Sequence, residues 1–85
     1  MENEQLKQKL SEIKMYKVES SNIEYLGYDE NLKILKVIFK NNSSYAYFGV
    51  PQFTWNQLCT CESKGKYLTE NVTRRPDLYK YIKLR

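Results

Sequence analysis

The sequence of 85 residues contains no histidine, and this absence excludes much of the usual catalytic chemistry. Histidine is the commonest general base near neutral pH and the commonest zinc ligand. Two cysteines, Cys59 and Cys61, do not complete a four-ligand zinc site without it. We expect Cys59 to be buried and Cys61 to lie nearer the rim. The composition therefore predicts a protein that is not an enzyme and has no metal or other cofactor.

Long apolar runs and glycine-rich loops are also missing. Without a run of about eighteen apolar residues, we expect no membrane-spanning segment. The N-terminal sequence MENEQLKQKL is charged and has no apolar core, so we expect no signal peptide and a cytoplasmic protein. The three glycines stand apart from one another, which excludes a glycine-rich phosphate loop.

The positive charge of the chain is concentrated near its C-terminus. Residues 1–63 contain seven lysines and eight carboxylates, whereas residues 64–85 contain seven lysines and arginines and two carboxylates. Such a concentration favours a polyanionic partner, although a solvated surface explains a small excess equally well. The candidate phosphate contacts in this segment are Lys64, Lys66, Arg74 and Arg75.

One helix is predicted at the N-terminus. Leu6, Leu10 and Ile13 recur at helical spacing, so we expect residues 3–14 to form an amphipathic helix. Short helices are marginal alone, which favours docking of this stripe on its own domain. The alternative is that the three side chains bind a protein partner.

Residues 22–50 change to a period-two pattern in three runs, divided by the turn segments Asp29-Glu30-Asn31 and Asn41-Asn42-Ser43. In the middle run Leu35, Val37 and Phe39 form the wholly apolar set, which we expect to face the core. The short connections predict an antiparallel meander, because parallel strands need a long crossover.

Helical patterns follow the sheet. Pro51 cannot donate to a strand ladder and suits a helix start, after which Trp55, Leu58 and Cys59 predict the inner stripe of a helix on the sheet. Gly65 is expected to end this helix or turn the chain, and a further helical turn is expected around residues 66–72. After Pro76 we expect an ordered segment against the sheet edge.

The stretch SSYAYFGVP, residues 43–51, carries Tyr45 and Tyr47 on one face of its strand. Two such rings, about 7 Å apart, make a platform for stacking bases. The same alternation describes two rings that fill a small core, and this interpretation is slightly favoured because large side chains are scarce in a short chain.

Several segments together resemble a known family. They are SSNIEYLGYDENLKILKVIF, YAYFGVP, WNQL and SKGKYLTENV, and the resemblance covers about residues 18–72. In this order and spacing they resemble the KTSC domain, a short module named after the C-terminal region of some lysyl-tRNA synthetases. The resemblance implies a small sheet-and-helix domain of bacterial and phage proteins, for which RNA binding has been suggested. Residues 1–17 lie outside the pattern, and TRRPDL lengthens the segment that follows it.

The predicted fold is α+β: a small three-stranded antiparallel β-meander packed against one or two helices, with an added N-terminal amphipathic helix. Residues 1–17 form the helical extension and residues 18–85 the KTSC-like domain. We expect a binding module for RNA or single-stranded nucleic acid. The candidate contacts are Tyr45, Tyr47, Lys64, Lys66, Tyr67, Arg74 and Arg75. The alternative is a small protein–protein interaction domain whose tyrosines belong to the core.

Overall fold

The computed structural model describes the backbone of residues 3–85 and the side chains of residues 5–85. The elements in chain order are α1 (Asn3–Glu12), β1 (Met15–Lys17), β2 (Ile23–Asp29), β3 (Ile34–Phe39), β4 (Ser44–Phe48), α2 (Gln52–Thr60), α3 (Lys64–Leu68), a π-helical turn (Thr69–Thr73) and β5 (Tyr81–Lys83). Met1 and Glu2, which belong to the predicted extension 1–17, lie outside the described residues.

The strands form one antiparallel sheet in the order β1-β2-β3-β4-β5. The α+β class and the central meander are therefore confirmed, but the prediction of three strands is wrong. Two strands of three residues each, β1 and β5, extend the meander at its two edges. Three residues are too few to display a period-two pattern. Because β1 lies within residues 1–17, the predicted extension contributes to the sheet.

The turns between the central strands have the predicted chemistry. The Asp29 carboxylate accepts the backbone N–H groups of Asn31 and Leu32 at 2.9 and 3.0 Å. The Asn41 side chain accepts from the backbone of Ser43 at 3.0 Å, and Asn42 adopts a positive φ of 70°. Asparagine and aspartate stabilise turns in this way because their short side chains bond to the nearby backbone.

Helix α1 covers one face of the sheet. Leu10 and Ile13 are buried there with Ile34 and Ala46, and Leu6 packs at the rim. The Lys36 ammonium donates to the Leu10 carbonyl at 3.2 Å, near the C-terminal end of the helix, where a cation is favourable. The apolar stripe is thus docked on its own sheet, which removes Leu10 and Ile13 from the surface that a protein partner could contact.

The opposite face carries the larger core, under α2, α3 and the π-helical turn. Its buried residues are Ile23, Leu26, Leu35, Val37, Tyr47, Val50, Leu58, Leu68 and Val72. Leu35 and Val37 are buried and Phe39 packs against them, as the alternation predicted. Strand β4 lies between β3 and β5 and is covered on both faces, because Tyr47 belongs to the larger core and Ala46 to the smaller one.

Three details of the helical region differ from expectation: the burial of the cysteines, the inner stripe of α2 and the place of Gly65. Cys59 is exposed, whereas Cys61 is partly buried and packs against the larger core, which reverses the predicted order. Thr54 and Leu58 are the buried residues of α2, one helical turn apart. Gly65 lies inside α3 and does not end a helix; α2 ends at Thr60 with Cys61 as its C-cap.

Candidate functional site

The tyrosine pair of β4 lies on the side of the larger core. Tyr47 is 5% exposed, which agrees with the favoured core interpretation and leaves its ring no free face for stacking. Tyr45 is half-buried, with its ring centroid 6.3 Å from that of Tyr47. Burial, with smaller contributions from Tyr45 and Tyr81, raises the pKa of Tyr47 to about 12, because water no longer solvates the phenolate.

A third tyrosine on β5 supplies the exposed ring of this region. Tyr81 is 55% exposed, and its ring centroid lies 6.0 Å from that of Tyr45. In the register of β4 and β5, Tyr47 is opposite Tyr81 and Tyr45 is opposite Lys83. Tyr45, Tyr81 and Lys83 therefore share one face at the edge of the sheet, and we call this surface the tyrosine edge. Tyr81 and Lys83 were not among the predicted contacts, because the sequence pattern after Pro76 fits a strand as well as a helix.

Three of the predicted cations, Lys64, Lys66 and Arg74, line one open cleft of about 660 Å³, which we call the polar cleft. Arg75, Tyr45 and Tyr47 are not among the residues that line it. Its other lining residues are Glu19, Ser20, Ser21, Asn22, Glu62, Ser63, Gly65, Thr69 and Glu70. Three carboxylates thus face three cations, so the charge of the cleft is balanced.

Lys64 is further committed to the protein itself. Its ammonium donates to the carbonyls of Cys59 and Cys61 at 3.0 and 2.9 Å, at the C-terminal end of α2. Tyr67, another predicted contact, is partly buried against the larger core, and burial raises the pKa of its phenol. The predicted basic contacts therefore do not form one cationic surface with the tyrosine pair.

Two segments, residues 20–22 and residues 63–65, meet in this cleft for a structural reason. Ser20 Oγ accepts the backbone N–H groups of Asn22 and Ile23 at 3.3 and 3.2 Å and starts β2. A Cβ atom at Gly65 would collide with the Asn22 side-chain oxygen. Glycine at position 65 lets α3 approach this loop closely without displacing the Asn22 side chain.

A more basic pocket lies on the opposite face, between α1 and the end of β5. It has a volume of about 260 Å³ and contains three cations, Lys7, Lys36 and Arg85. None of the described residues that line it is an aspartate or a glutamate. We call it the basic pocket. Its cations come from three separate segments, so no local charge run revealed it in the sequence.

An aromatic groove lies at the other edge of the sheet, between β1 and α2. The rings of Tyr28 and Trp55 stack at 5.4 Å with 11° between their planes, and the Tyr28 hydroxyl donates to the Val50 carbonyl at 2.5 Å. The aromatic groove, about 420 Å³ in volume, is lined by Tyr16, Val18, Leu26, Tyr28, Trp55, Cys59 and Lys64. Desolvation raises the pKa of the Cys59 thiol, which lowers its thiolate fraction and its nucleophilicity.

Among residues 5–85, whose side chains the structure describes, there is no group of three or more histidine, cysteine or carboxylate residues placed to hold a metal ion. Within the same residues, no helix has the length and apolar character needed to cross a membrane.

Comparison with known proteins identifies the class of domain. Residues 19–75 match the sequence model of the KTSC domain. A protein of Tsukamurella paurometabola is 38% identical over 61 residues, which cover 72% of this chain and 91% of that protein. An uncharacterised protein of Stutzerimonas stutzeri is 31% identical over 72 residues, with coverage of 85% and 99%.

A solved structure agrees with this match. The crystal structure of a KTSC domain protein from Yersinia pestis is similar with a TM-score of 0.78 and 25% identity, and the match covers 86% of this chain and 99% of that one. The chain belongs to the KTSC domain family. The resemblance inferred from the sequence motifs is confirmed, and the family match ends at Arg75, a little beyond the predicted limit of Val72.

Proposed function

We propose that this KTSC domain is a non-enzymatic module that binds single-stranded nucleic acid, RNA in particular, at the tyrosine edge. The observation that carries the proposal is the combination of the exposed Tyr81 ring, the half-buried Tyr45 ring and Lys83 on one face. Aromatic rings stack on bases without regard to sequence, and a neighbouring lysine contacts the phosphate.

The charge around β5 supports a polyanionic ligand. On the other face of the same strand lies the basic pocket, with Lys7, Lys36 and Arg85. A strand of nucleic acid that crosses the edge would meet cations on both sides. The polar cleft is a weaker candidate because Glu19, Glu62 and Glu70 offset its cations.

The test is a fluorescence anisotropy titration with a labelled oligouridylate at ~50 mM salt, where phosphate contacts are strong. We expect Tyr81→Ala to weaken binding by about 1–3 kcal/mol, the usual contribution of one stacked base. Tyr16→Ala is the matched control, because Tyr16 is 49% exposed on the opposite edge strand. Equal effects of the two substitutions, or no binding by the wild type, would contradict the proposal.

A lysine pair tests the phosphate contact. Lys83→Gln should lower the dependence of log affinity on log salt by about one unit, the effect of one lost phosphate contact. Lys40→Gln, at an exposed position just after β3, should leave that slope unchanged.

A protein partner at the same edge is the second candidate. Leu78, Tyr81 and Ile82 are large and exposed, and β5 is an edge strand. The Phe48 N–H donates to the Lys80 carbonyl, so by the alternation of an antiparallel ladder Tyr81 and Lys83 direct backbone groups outward. Such an edge can accept a strand from another protein. This candidate is favoured if the domain binds a protein partner with an affinity that does not depend on salt and that is lost in Ile82→Asp.

A further inference from the structure

We propose that the aromatic groove and the free edge of β1 together bind an extended peptide segment of a partner protein. The peptide would carry a bulky apolar side chain, with a basic residue on one side of it and an acidic residue on the other. This site is at the opposite edge of the sheet from the tyrosine edge. It therefore does not depend on the nucleic-acid proposal.

Among the described residues, no strand pairs with the outer edge of β1, so its backbone is available for strand addition. The Val18 N–H donates to the Glu24 carbonyl at 3.2 Å, and Tyr16 is opposite Leu26 in the register. Bonded and non-bonded pairs alternate in an antiparallel ladder, so Met15 and Lys17 direct their N–H and C=O groups away from β2. An added strand would make its main-chain hydrogen bonds there.

The side chains beside this edge form a receptor for one large apolar group. Tyr16 and Val18 alternate onto the face that also carries Leu26 and Tyr28, and Trp55 of α2 stacks on the Tyr28 ring. The peptide residue beside Tyr16 would direct its side chain into this groove, because neighbouring residues across a sheet share a face. Rigid aromatic walls suit such an anchor because they lose little side-chain entropy on binding.

The charge around the groove indicates which residues would flank the anchor. Lys64 lines the groove, and none of the described residues that line it is a carboxylate. Its ammonium uses two of its three hydrogens on carbonyl oxygens, which leaves one for an acidic ligand.

The Tyr28–Trp55 pair also borders a second cleft of about 350 Å³, on its other side. Glu12, Asp29 and Glu30 line that cleft, with Lys14 as its one cation among the described lining residues. A peptide that passes the two rings would therefore meet Lys64 beyond one end and three carboxylates beyond the other. This gradient favours charges of opposite sign on the two sides of the anchor.

Trp55 makes the test direct, because it is the chain's one tryptophan and lies in the groove. Three blocked heptapeptides with a central phenylalanine and alternating threonines would be titrated. One carries a lysine and a glutamate on opposite sides, one carries two lysines and one carries two glutamates. We expect a saturable change in tryptophan fluorescence, with the mixed peptide binding most tightly. No saturable change with any of the three at millimolar concentration would overturn the proposal.

Substitutions identify the surface that responds. Tyr16→Ala should weaken binding of the mixed peptide about tenfold or more, whereas Tyr81→Ala should change it by less than about twofold. An effect of Tyr81→Ala as large as that of Tyr16→Ala would overturn the assignment. Glu30→Lys should weaken the mixed peptide and strengthen the peptide with two glutamates; unchanged preference would contradict the charge argument.

The strand-addition step has its own variant. Lys17→Pro removes an outward N–H that β2 does not use, so a folded protein that loses peptide affinity is expected. Thermal melting checks the fold of this variant. Wild-type affinity in folded Lys17→Pro would contradict the main-chain contact. A tryptophan signal that depends on protein concentration without peptide, together with dimers in sedimentation, would assign the groove to a second copy and overturn the proposal.

Discussion

The two faces of the sheet are both covered, but they differ in the size of the core they build. Among the described residues, four are buried on the face under α1: Leu10, Ile13, Ile34 and Ala46. The face under α2, α3 and the π-helical turn buries nine, including Tyr47 and Leu58. Strand β4 supplies both, since Tyr45 and Tyr47 point to one face and Ala46 and Phe48 to the other. The difference indicates that the larger face supplies most of the stability and that α1 shields the smaller one.

The largest effect is expected from truncating one leucine on each face. Leu58→Ala should cost about 3–5 kcal/mol, because α2 is held between the sheet and α3 and cannot close the cavity. Leu10→Ala should lie nearer the lower limit of about 2 kcal/mol, since a single helix at the surface can shift to fill the space. Urea denaturation measures both free energies of unfolding. A cost for Leu10→Ala that equals that of Leu58→Ala would contradict the comparison.

Two glycine substitutions give a smaller difference in stability, and here the larger cost is expected on the α1 side. A Cβ atom at Gly27, on the α1 side, would lie 2.5 Å from the Lys14 carbonyl oxygen, which is backbone and cannot move away. We expect Gly27→Ala to cost about 1–3 kcal/mol, as overpacking does.

At Gly65 the group in the way is the exposed side chain of Asn22, which can rotate. Alanine also gains about 1 kcal/mol of helix propensity there. This gain offsets the loss of the hydrogen bond that Ser20 donates to Asn22. Gly65→Ala should therefore change the free energy of unfolding by less than about 1 kcal/mol. Thermal melts of the two variants provide the measurement. A larger loss for Gly65→Ala than for Gly27→Ala would show that the loop is rigid.

The smallest effect is expected at alkaline pH, where tyrosines of the larger core make the free energy of unfolding depend on pH. The pKa of Tyr47 is raised to about 12, and burial also raises the pKa of Tyr28 and Tyr67, which pack on the same core. The unfolded chain loses these protons first, so stability is complete below about pH 10 and falls as the pH rises towards about 12. Tyr47→Phe should reduce that slope in chemical denaturation. An unchanged slope would exclude Tyr47 as its main source.

Much of the fold could be predicted because its central part has strong local signals. The alternation of Leu35, Val37 and Phe39 and the Asx turns at Asp29 and Asn41 specify three strands and their connections. The edge strands β1 and β5 escaped because three residues show no period. Their position depends on pairing with β2 and β4, which local sequence does not encode.

The candidate sites were less predictable because they, too, depend on contacts between segments that local sequence does not encode. Whether Tyr47 is buried depends on the core cluster that it joins, which includes Leu58, Leu68 and Val72 from the segments after the sheet. The concentration of charge after residue 63 was visible, but Lys64 bonds to carbonyls and Lys66 and Arg74 face carboxylates. Tyr81 becomes a candidate contact only because β5 aligns it beside Tyr45.

Nucleic-acid binding at the tyrosine edge is tested most directly by titrating the ¹⁵N-labelled protein with oligouridylate at ~50 mM salt and following the amide chemical shifts. We predict the largest shifts at Tyr45, Tyr81 and Lys83, with smaller ones near the basic pocket. Shifts confined to Lys66 and Arg74 in the polar cleft, or no shifts at all, would contradict the assignment of nucleic-acid binding to the tyrosine edge.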